Sequence, residues 1–343
     1  MARDLGGHCG GPAAALFYVA ATLLSLRWTR HLSLWVRPFA MAAIWTGLDG
    51  LMGLIWFPIP FHWGSLLFDW TPGIQIADLT GIWGVTYVAV FCNACLACAW
   101  QVGWRQGWRI LAVGLGLGSL ILGYGWLRMD QISTALHQES PPSYVVGAVQ
   151  QVGWLEPDRS WPYRAERYRD LFNLSRAATL AGAELVIWPE GALRAQFTGT
   201  QLEPYILDPM AQLLSPTASL LLGATEPDPR TRALPDQDQR FINSALLYSA
   251  AGSRLDQFGK QWIFPYFESA RYVPSADGYR PLQGRELGRL GVMICLESVL
   301  PRPSYALVQA GAQVLITIAD DSWFGNSHWP MLHGNLSIFR AIE

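Results

Sequence analysis

Three residues of this 343-residue chain carry reactive side chains in positions where chemistry is built: Glu190, Lys260 and Cys295. A thiolate is a strong nucleophile, a carboxylate can take its proton, and an ammonium can hold a developing oxyanion. Each of the three closes a strand-like run. Leu185-Val186-Ile187-Trp188-Pro189 leads to Glu190, Gly291-Val292-Met293-Ile294 leads to Cys295, and Gly259-Lys260 ends a strand-like stretch. Taken singly, Glu190 reads equally as a solvated loop acid and Cys295 as a small core residue. Two counts favour chemistry. Lys260 is the one lysine among 24 basic residues, so a compact ammonium stands where an arginine fork would not serve. Cys295 is the one cysteine in 128–343, which suits a thiol that stays free.

These side chains need a sheet to carry them. Strand-like runs are Tyr144–Gln150, Glu184–Trp188, Ser219–Ala224, Ile242–Tyr248, Leu290–Cys295 and Val314–Ala319, with helical segments near 162–181, 202–214 and 301–311. The alternation predicts a layered α/β domain whose strand ends converge at one edge. Hairpin-like residues near 240–258 predict a mixed sheet.

The front of the chain differs in kind. Hydrophobic residues make up 51% of the sequence and charged residues 15%, below the roughly 25% of an ordinary soluble domain. So much apolar surface excludes disorder. A net charge of -2 without a basic run argues against nucleic-acid binding, and five cysteines are no disulfide framework. Residues 1–127 carry six Arg and four Asp as their only Arg, Lys, Asp or Glu. Apolar stretches at 11–26, 39–57, 79–101 and 110–127 approach the roughly 20 residues of a bilayer-spanning helix and lack a polar face. No cleavable signal sequence is apparent, since Ala13–Leu26 is followed by Arg27. Tryptophans 28, 35, 56, 63, 100, 104, 108 and 126 fall at the predicted ends, where indoles favour the interface. Arg27, Arg30 and Arg37 mark the first link, and Arg105 and Arg109 the third. The middle link, 58–78, has no Lys or Arg. The positive-inside rule then places the chain after the fourth span outside the cytoplasm, on the periplasmic side in a bacterium.

Other features read more plainly. Gly114, Gly116 and Gly118 lie in an apolar span with no strand before them, so helix packing is a better reading than a nucleotide loop. Cys92, Cys95 and Cys98 have metal-like spacing but no His or carboxylate beside them, and read as packing residues. Asp49 is an acid within a span, a functional candidate by default; its plainer reading is a residue drawn toward the interface.

Val186-Ile187-Trp188-Pro189-Glu190, Lys260 with Phe264-Pro265-Tyr266-Phe267-Glu268, and Cys295-Leu296-Glu297 resemble the Glu-Lys-Cys motifs of the nitrilase, or carbon–nitrogen hydrolase, superfamily. The membrane-like front narrows the resemblance to the apolipoprotein N-acyltransferase family. Ser322-Trp323-Phe324-Gly325, then Pro330, His333 and Arg340-Ala341-Ile342-Glu343, are similar to a stretch of that family. So are Trp45, Asp49 and Phe57-Pro58. The resemblance implies a helical transmembrane bundle over 1–128 and an α/β nitrilase-like domain, an α-β-β-α sandwich, over 143–343. It also implies that the chain is truncated at both ends relative to the family. Trp262, Phe267 and Leu296 depart from the family's usual His, Gly and Tyr.

By the same resemblance, the expected reaction moves a phospholipid acyl chain, through a thioester on Cys295, to the N-terminal amine of a diacylglyceryl-cysteine apolipoprotein. Glu190 is the implied base and Lys260 the oxyanion holder, with Glu268 orienting Lys260 and Glu297 supporting the nucleophile turn. Partners are then phospholipid, apolipoprotein and the bilayer of the bacterial inner membrane, with no nucleic acid, metal or organic cofactor. Two alternatives stay open: a membrane-tethered hydrolase of amides or nitriles using the same triad, and an inactive truncated homologue with a binding role.

Overall fold

The computed structural model describes residues 10–55, 62–139, 143–150, 161–193, 204–214, 217–231, 233–235, 238–264 and 268–343. Trp56, Phe57, Pro58 and Phe267, each named above, lie outside the described residues. The chain divides into two compact units. One is Met1–Pro141 with Gly334–Glu343; the other is Pro142–His333.

The first unit is helical: α1 (Gly10–Thr29), α2 (Arg37–Ile55), α3 (Ala77–Val102) and α4 (Trp104–Glu139). Ala77–Val102 and Arg105–Glu139 are long and apolar enough to cross a bilayer. Only 17% of the apolar window of the second is buried within the chain, and several of its Leu side chains are exposed. Leu115 and Leu120 are examples, and Trp100, Trp108 and Trp126 are exposed as well. A soluble core helix would hide such residues.

The fourth helix runs twelve residues beyond the apolar stretch that ends at 127, to Glu139. Hydropathy ends at Leu127, but no Gly or Pro interrupts the polar continuation, and helix propensity carries it on. Asp78, at the end of the middle link 58–78, is tied to this helix: it accepts hydrogen bonds from the Tyr124 hydroxyl at 2.7 Å and from Arg128 Nε at 3.0 Å. Of the three glycines in the Gly-x-Gly-x-Gly run, only Gly114 meets a neighbour, Cys95; Gly116 and Gly118 face open space. Close backbone approach falls instead at Gly125, where a Cβ would collide with the Pro72 carbonyl. Cys95 and Cys98 pack with Phe91, Ala42 and Ile110 in an apolar cluster.

Helix α3 is broken near its start, where Gly81 sits at φ +65°. The freed N–H of Ile82 donates to the Glu343 carboxylate at 2.9 Å. A side-chain acceptor thereby satisfies a donor that the break leaves without its helical partner.

The second unit is α/β. Its strands are β1 (Val146–Ala148), β2 (Leu185–Ile187), β3 (Ser219–Pro227), β4 (Phe241–Tyr248), β5 (Arg254–Gly259), β6 (Leu282–Gln283), β7 (Arg289–Ile294) and β8 (Val314–Ile318). Helices α5 (Trp161–Leu180), α6 (Pro204–Leu213) and α7 (Pro301–Gln309) lie between strands, and α8 (Trp329–Ile342) follows. The first sheet has the order β1-β2-β3-β4-β5, parallel across β1, β2 and β3 and antiparallel from β3 to β5. The second has the order β6-β7-β8, with β7 and β8 parallel.

Tyr168 and Leu171 of α5 and Leu207 and Met210 of α6 pack with Val186, Trp188, Leu220, Leu222 and Leu246 beneath them. The second sheet carries α7, whose Leu307 is fully buried close to Gly291 of β7. Contacts between β4 and β7 join the two sheets. The layering is α-β-β-α.

Candidate active site

The end of β2 delivers Glu190. Trp188 anchors the strand end: it is fully buried, and its indole N–H donates to Ser175 Oγ at 2.8 Å. The next turn passes so close to β3 that a Cβ on Gly223 would collide with the Pro189 carbonyl. Only glycine permits this approach, so Gly223 helps fix where Glu190 stands. One Glu190 oxygen accepts from Asn243 Nδ2 at 2.7 Å, and the other from the Asp320 backbone N–H at 3.0 Å.

Lys260 follows β5. Its backbone N–H prolongs the ladder by donating to the Asn243 carbonyl at 2.8 Å. Its side chain is fully buried. The ammonium donates to Glu268 Oε1 at 2.7 Å and stands 3.8 Å from Glu190 Oε1. Glu268 is held in turn by the Phe264 N–H at 2.9 Å.

Cys295 follows β7 and is 2% exposed. Its φ is +54°, a left-handed conformation that a side chain with a Cβ rarely adopts. Strain of this kind persists only where neighbours over-determine it, and it clusters at functional sites. Glu297 is one such neighbour. Fully buried, it accepts from the N–H groups of Ile294 at 3.0 Å, Gln261 at 2.8 Å and Trp262 at 3.0 Å. It therefore clamps the cysteine turn to the segment that follows Lys260.

The structure thus gathers all five residues singled out above, Glu190, Lys260, Cys295, Glu268 and Glu297, in one buried cluster of the second unit. The charges interact. Burial pushes the Glu190 carboxyl above its ordinary range, and Glu268 adds to the rise; Lys260, Asn243 and the Asp320 N–H pull the other way. Burial also drives the Cys295 thiol well up, with the Glu190 charge reinforcing it and Lys260 opposing. At Lys260 burial disfavours the ammonium, but Cys295, Glu190 and Glu268 outweigh it and the net shift is upward. These shifts favour the thiol at Cys295 and the ammonium at Lys260, and they make the Glu190 carboxylate more basic. Such a carboxylate is well matched to take a thiol proton, and such an ammonium to meet an oxyanion.

Several partners carried little signal in the sequence. Asn243 supports Glu190 across 53 positions. Asp321 and His333 stand behind Cys295, and His333 was noticed only as part of a family-like stretch. A polar residue inside an apolar strand was the available sign for Asn243. Trp262 contributes its backbone N–H to Glu297, and its ring meets Phe264 edge-on at 6.3 Å. Leu296 is buried.

Asp49 belongs to the first unit. It is 1% exposed, and it meets His62 Nδ1 and the Tyr18 hydroxyl, each at 3.1 Å. Burial of a carboxyl is thereby offset by two polar partners.

Residues 146–343 match the carbon–nitrogen hydrolase family, and residues 10–95 match the apolipoprotein N-acyltransferase N-terminal domain. Among curated relatives, the apolipoprotein N-acyltransferase of Geobacter metallireducens is 27% identical, over 88% of this chain and 59% of its own length. That of Caulobacter vibrioides is 29% identical, over 96% and 64% respectively. Against the first two relatives matched, the chain spans 59% and 64% of their length. A crystal structure of a carbon–nitrogen hydrolase from Helicobacter pylori G27 superposes with a TM-score of 0.42 at 17% identity, covering 57% of this chain and 68% of that one. With well over half its length matched by the family from β1 onward, this chain belongs to the carbon–nitrogen hydrolase family.

Proposed function

We propose that this chain is an N-acyltransferase that completes bacterial lipoproteins. Glu190, Lys260 and Cys295 are its catalytic residues. Glu190 takes the Cys295 proton, and the thiolate attacks the ester carbonyl of a phospholipid. Lys260 faces the oxyanion that forms; one such donor contributes about 2.7–4 kcal/mol at comparable sites. Collapse of the tetrahedral intermediate breaks the ester C–O bond. The protonated Glu190 returns its proton to the departing lysophospholipid oxygen, leaving a thioester on Cys295. The acceptor amine, the N-terminus of a diacylglyceryl-cysteine apolipoprotein, then attacks the thioester. Glu190 removes the amine proton and delivers it to the leaving thiolate, and an amide results. Glu268 orients Lys260, and Glu297 holds the nucleophile turn.

The observation that carries this reading is the fully buried Lys260 ammonium, 2.7 Å from Glu268 and 3.8 Å from Glu190, beside a cysteine held at positive φ. The acyl-transfer assignment, rather than hydrolysis, is supported by the apolar helices ahead of this domain and by their match to the N-acyltransferase N-terminal domain. Lipid substrates and exposed apolar helices belong together, since both reside in the bilayer. We place the protein in the bacterial inner membrane as a multi-pass protein. The Arg-bearing links lie inside and the Cys295 domain on the periplasmic side.

The test is acyl transfer from labelled phospholipid to a synthetic diacylglyceryl-cysteine lipopeptide. Amide-linked label on the lipopeptide is the expected product. Release of free fatty acid at the same rate with and without lipopeptide would make the protein a hydrolase and reject the assignment.

A further inference from the structure

His333 is 5% exposed and stands directly behind the cysteine turn. Its Nδ1 faces both carboxylate oxygens of Asp321, at 2.9 and 3.0 Å. Its Nε2 faces the Cys295 carbonyl oxygen at 3.1 Å and Ser298 Oγ at 3.0 Å. Ser298 Oγ has its own acceptor, the same Cys295 carbonyl, at 3.0 Å.

Proton counting bears on the state of the ring, whose donor and acceptor roles depend on the tautomer. An ionised carboxylate and a carbonyl oxygen only accept, so a nitrogen facing either must carry hydrogen. With the Ser298 hydrogen directed at the Cys295 carbonyl, both ring nitrogens must donate. The ring that satisfies all of these contacts is the imidazolium.

We propose that His333 is a positioning residue for the nucleophile: oriented by Asp321, the imidazolium donates Nε2–H to the Cys295 carbonyl and so holds the left-handed backbone that presents the thiol. This rests on the reading of Cys295 as the nucleophile. Among the described residues, Asp321, from the turn after β8, contacts the ring, and the Glu190 charge, from the turn after β2, also acts on it. Burial pushes the His333 pKa down, but Asp321 and these neighbours outweigh it, and the net shift is upward from 6.5. The carbonyl is thus fixed from two sides, by Ser298 and by His333. Losing the stronger, charge-assisted donor frees the peptide to relax toward ordinary φ. The thiol then moves, and a shift of about 1 Å can cost roughly a hundredfold in rate.

The experiment compares H333L, H333Q, D321N, C295A and the parent, as full-length chain in lipid, for phospholipid-to-lipopeptide transfer against pH. H333L should lose roughly a hundredfold in kcat with little change in KM, because the ring touches no substrate. H333Q should recover part of the loss, since its amide N–H can still reach the carbonyl. D321N should move the alkaline loss of activity to lower pH: the supporting imidazolium exists below its pKa, and Asp321 is what raises it. If C295A still transfers, the nucleophile reading itself fails. If C295A is inactive but H333L transfers at the parental rate, only the role of His333 falls. Should H333L not fold, H333Q and D321N decide. A folded H333Q without activity, or a D321N profile identical to the parent's, overturns the proposal.

Discussion

Glu297 Oε1 accepts the backbone N–H of Gln261 at 2.8 Å, across 36 positions of sequence. Through that one oxygen, the turn that carries Cys295 is tied to the residue that follows Lys260. Nucleophile and ammonium therefore share a scaffold and cannot drift independently. Burial pushes the Glu297 carboxyl up, while the N–H groups of Ile294, Trp262 and Gln261 pull it down. Its work is structural: three backbone donors in a buried site need an acceptor-only partner.

E297Q tests this. A glutamine keeps one acceptor oxygen but turns an N–H₂ toward a backbone N–H. At least one buried donor loses its partner, at a cost of about 1–3 kcal/mol. The expected result is a lower melting temperature together with reduced transfer. An unchanged melting temperature would mean that the clamp contributes nothing.

K260R keeps the charge and changes its shape. Lys260 is fully buried and 2.7 Å from Glu268, so a wider planar guanidinium has no room without displacing Glu268 or Glu190. Transfer should fall by about a hundredfold or more. A solvated strand-end lysine would instead tolerate Arg within about 0.5 kcal/mol and keep its activity. Near-parental transfer by a folded K260R would remove Lys260 from the site.

Asn243 sets the acid limb of the pH profile. The base must be ionised to act, so activity falls as pH drops through the Glu190 pKa. Burial raises that pKa, and the Asn243 hydrogen bond lowers it. N243L removes the lowering contribution, so the acid limb of kcat/KM should move to higher pH. A limb that stays in place, or moves down, would show that Glu190 is not the titrating base.

The legible and illegible parts of this site divide by range. Glu190 and Cys295 stood out because each ends a buried run, and Lys260 because it is the one lysine, at the end of a strand; a strand end is a local pattern. The strands themselves were readable for the same reason, since apolar runs of strand length survive in any context. Asn243, Asp321 and His333 were not, because a polar residue's partner 35 or 53 positions away leaves no local trace. The two-residue β6 is too short for any periodicity. Helix α4 was read short because hydropathy marks where apolar character ends, whereas the helix continues as far as its backbone bonds are favourable. Asp49 stood out as an anomaly, but its partner His62 lies beyond the end of its helix, and only the fold brings the two together.

Topology follows from the arginines of the links. A reporter that is active only outside the cytoplasm, fused after Ile132, should be active; one fused within 27–37 should be silent. The reverse pattern would put Cys295 on the cytoplasmic side and remove the lipoprotein reading with it.

The most direct test is the intact mass of the protein after incubation with phospholipid and no acceptor. The account predicts an increase of one acyl group, removed by hydroxylamine as a thioester is, mapped to Cys295, and lost on addition of lipopeptide. C295A should show none. An unmodified parent chain, or an acyl group that persists in C295A, would contradict it.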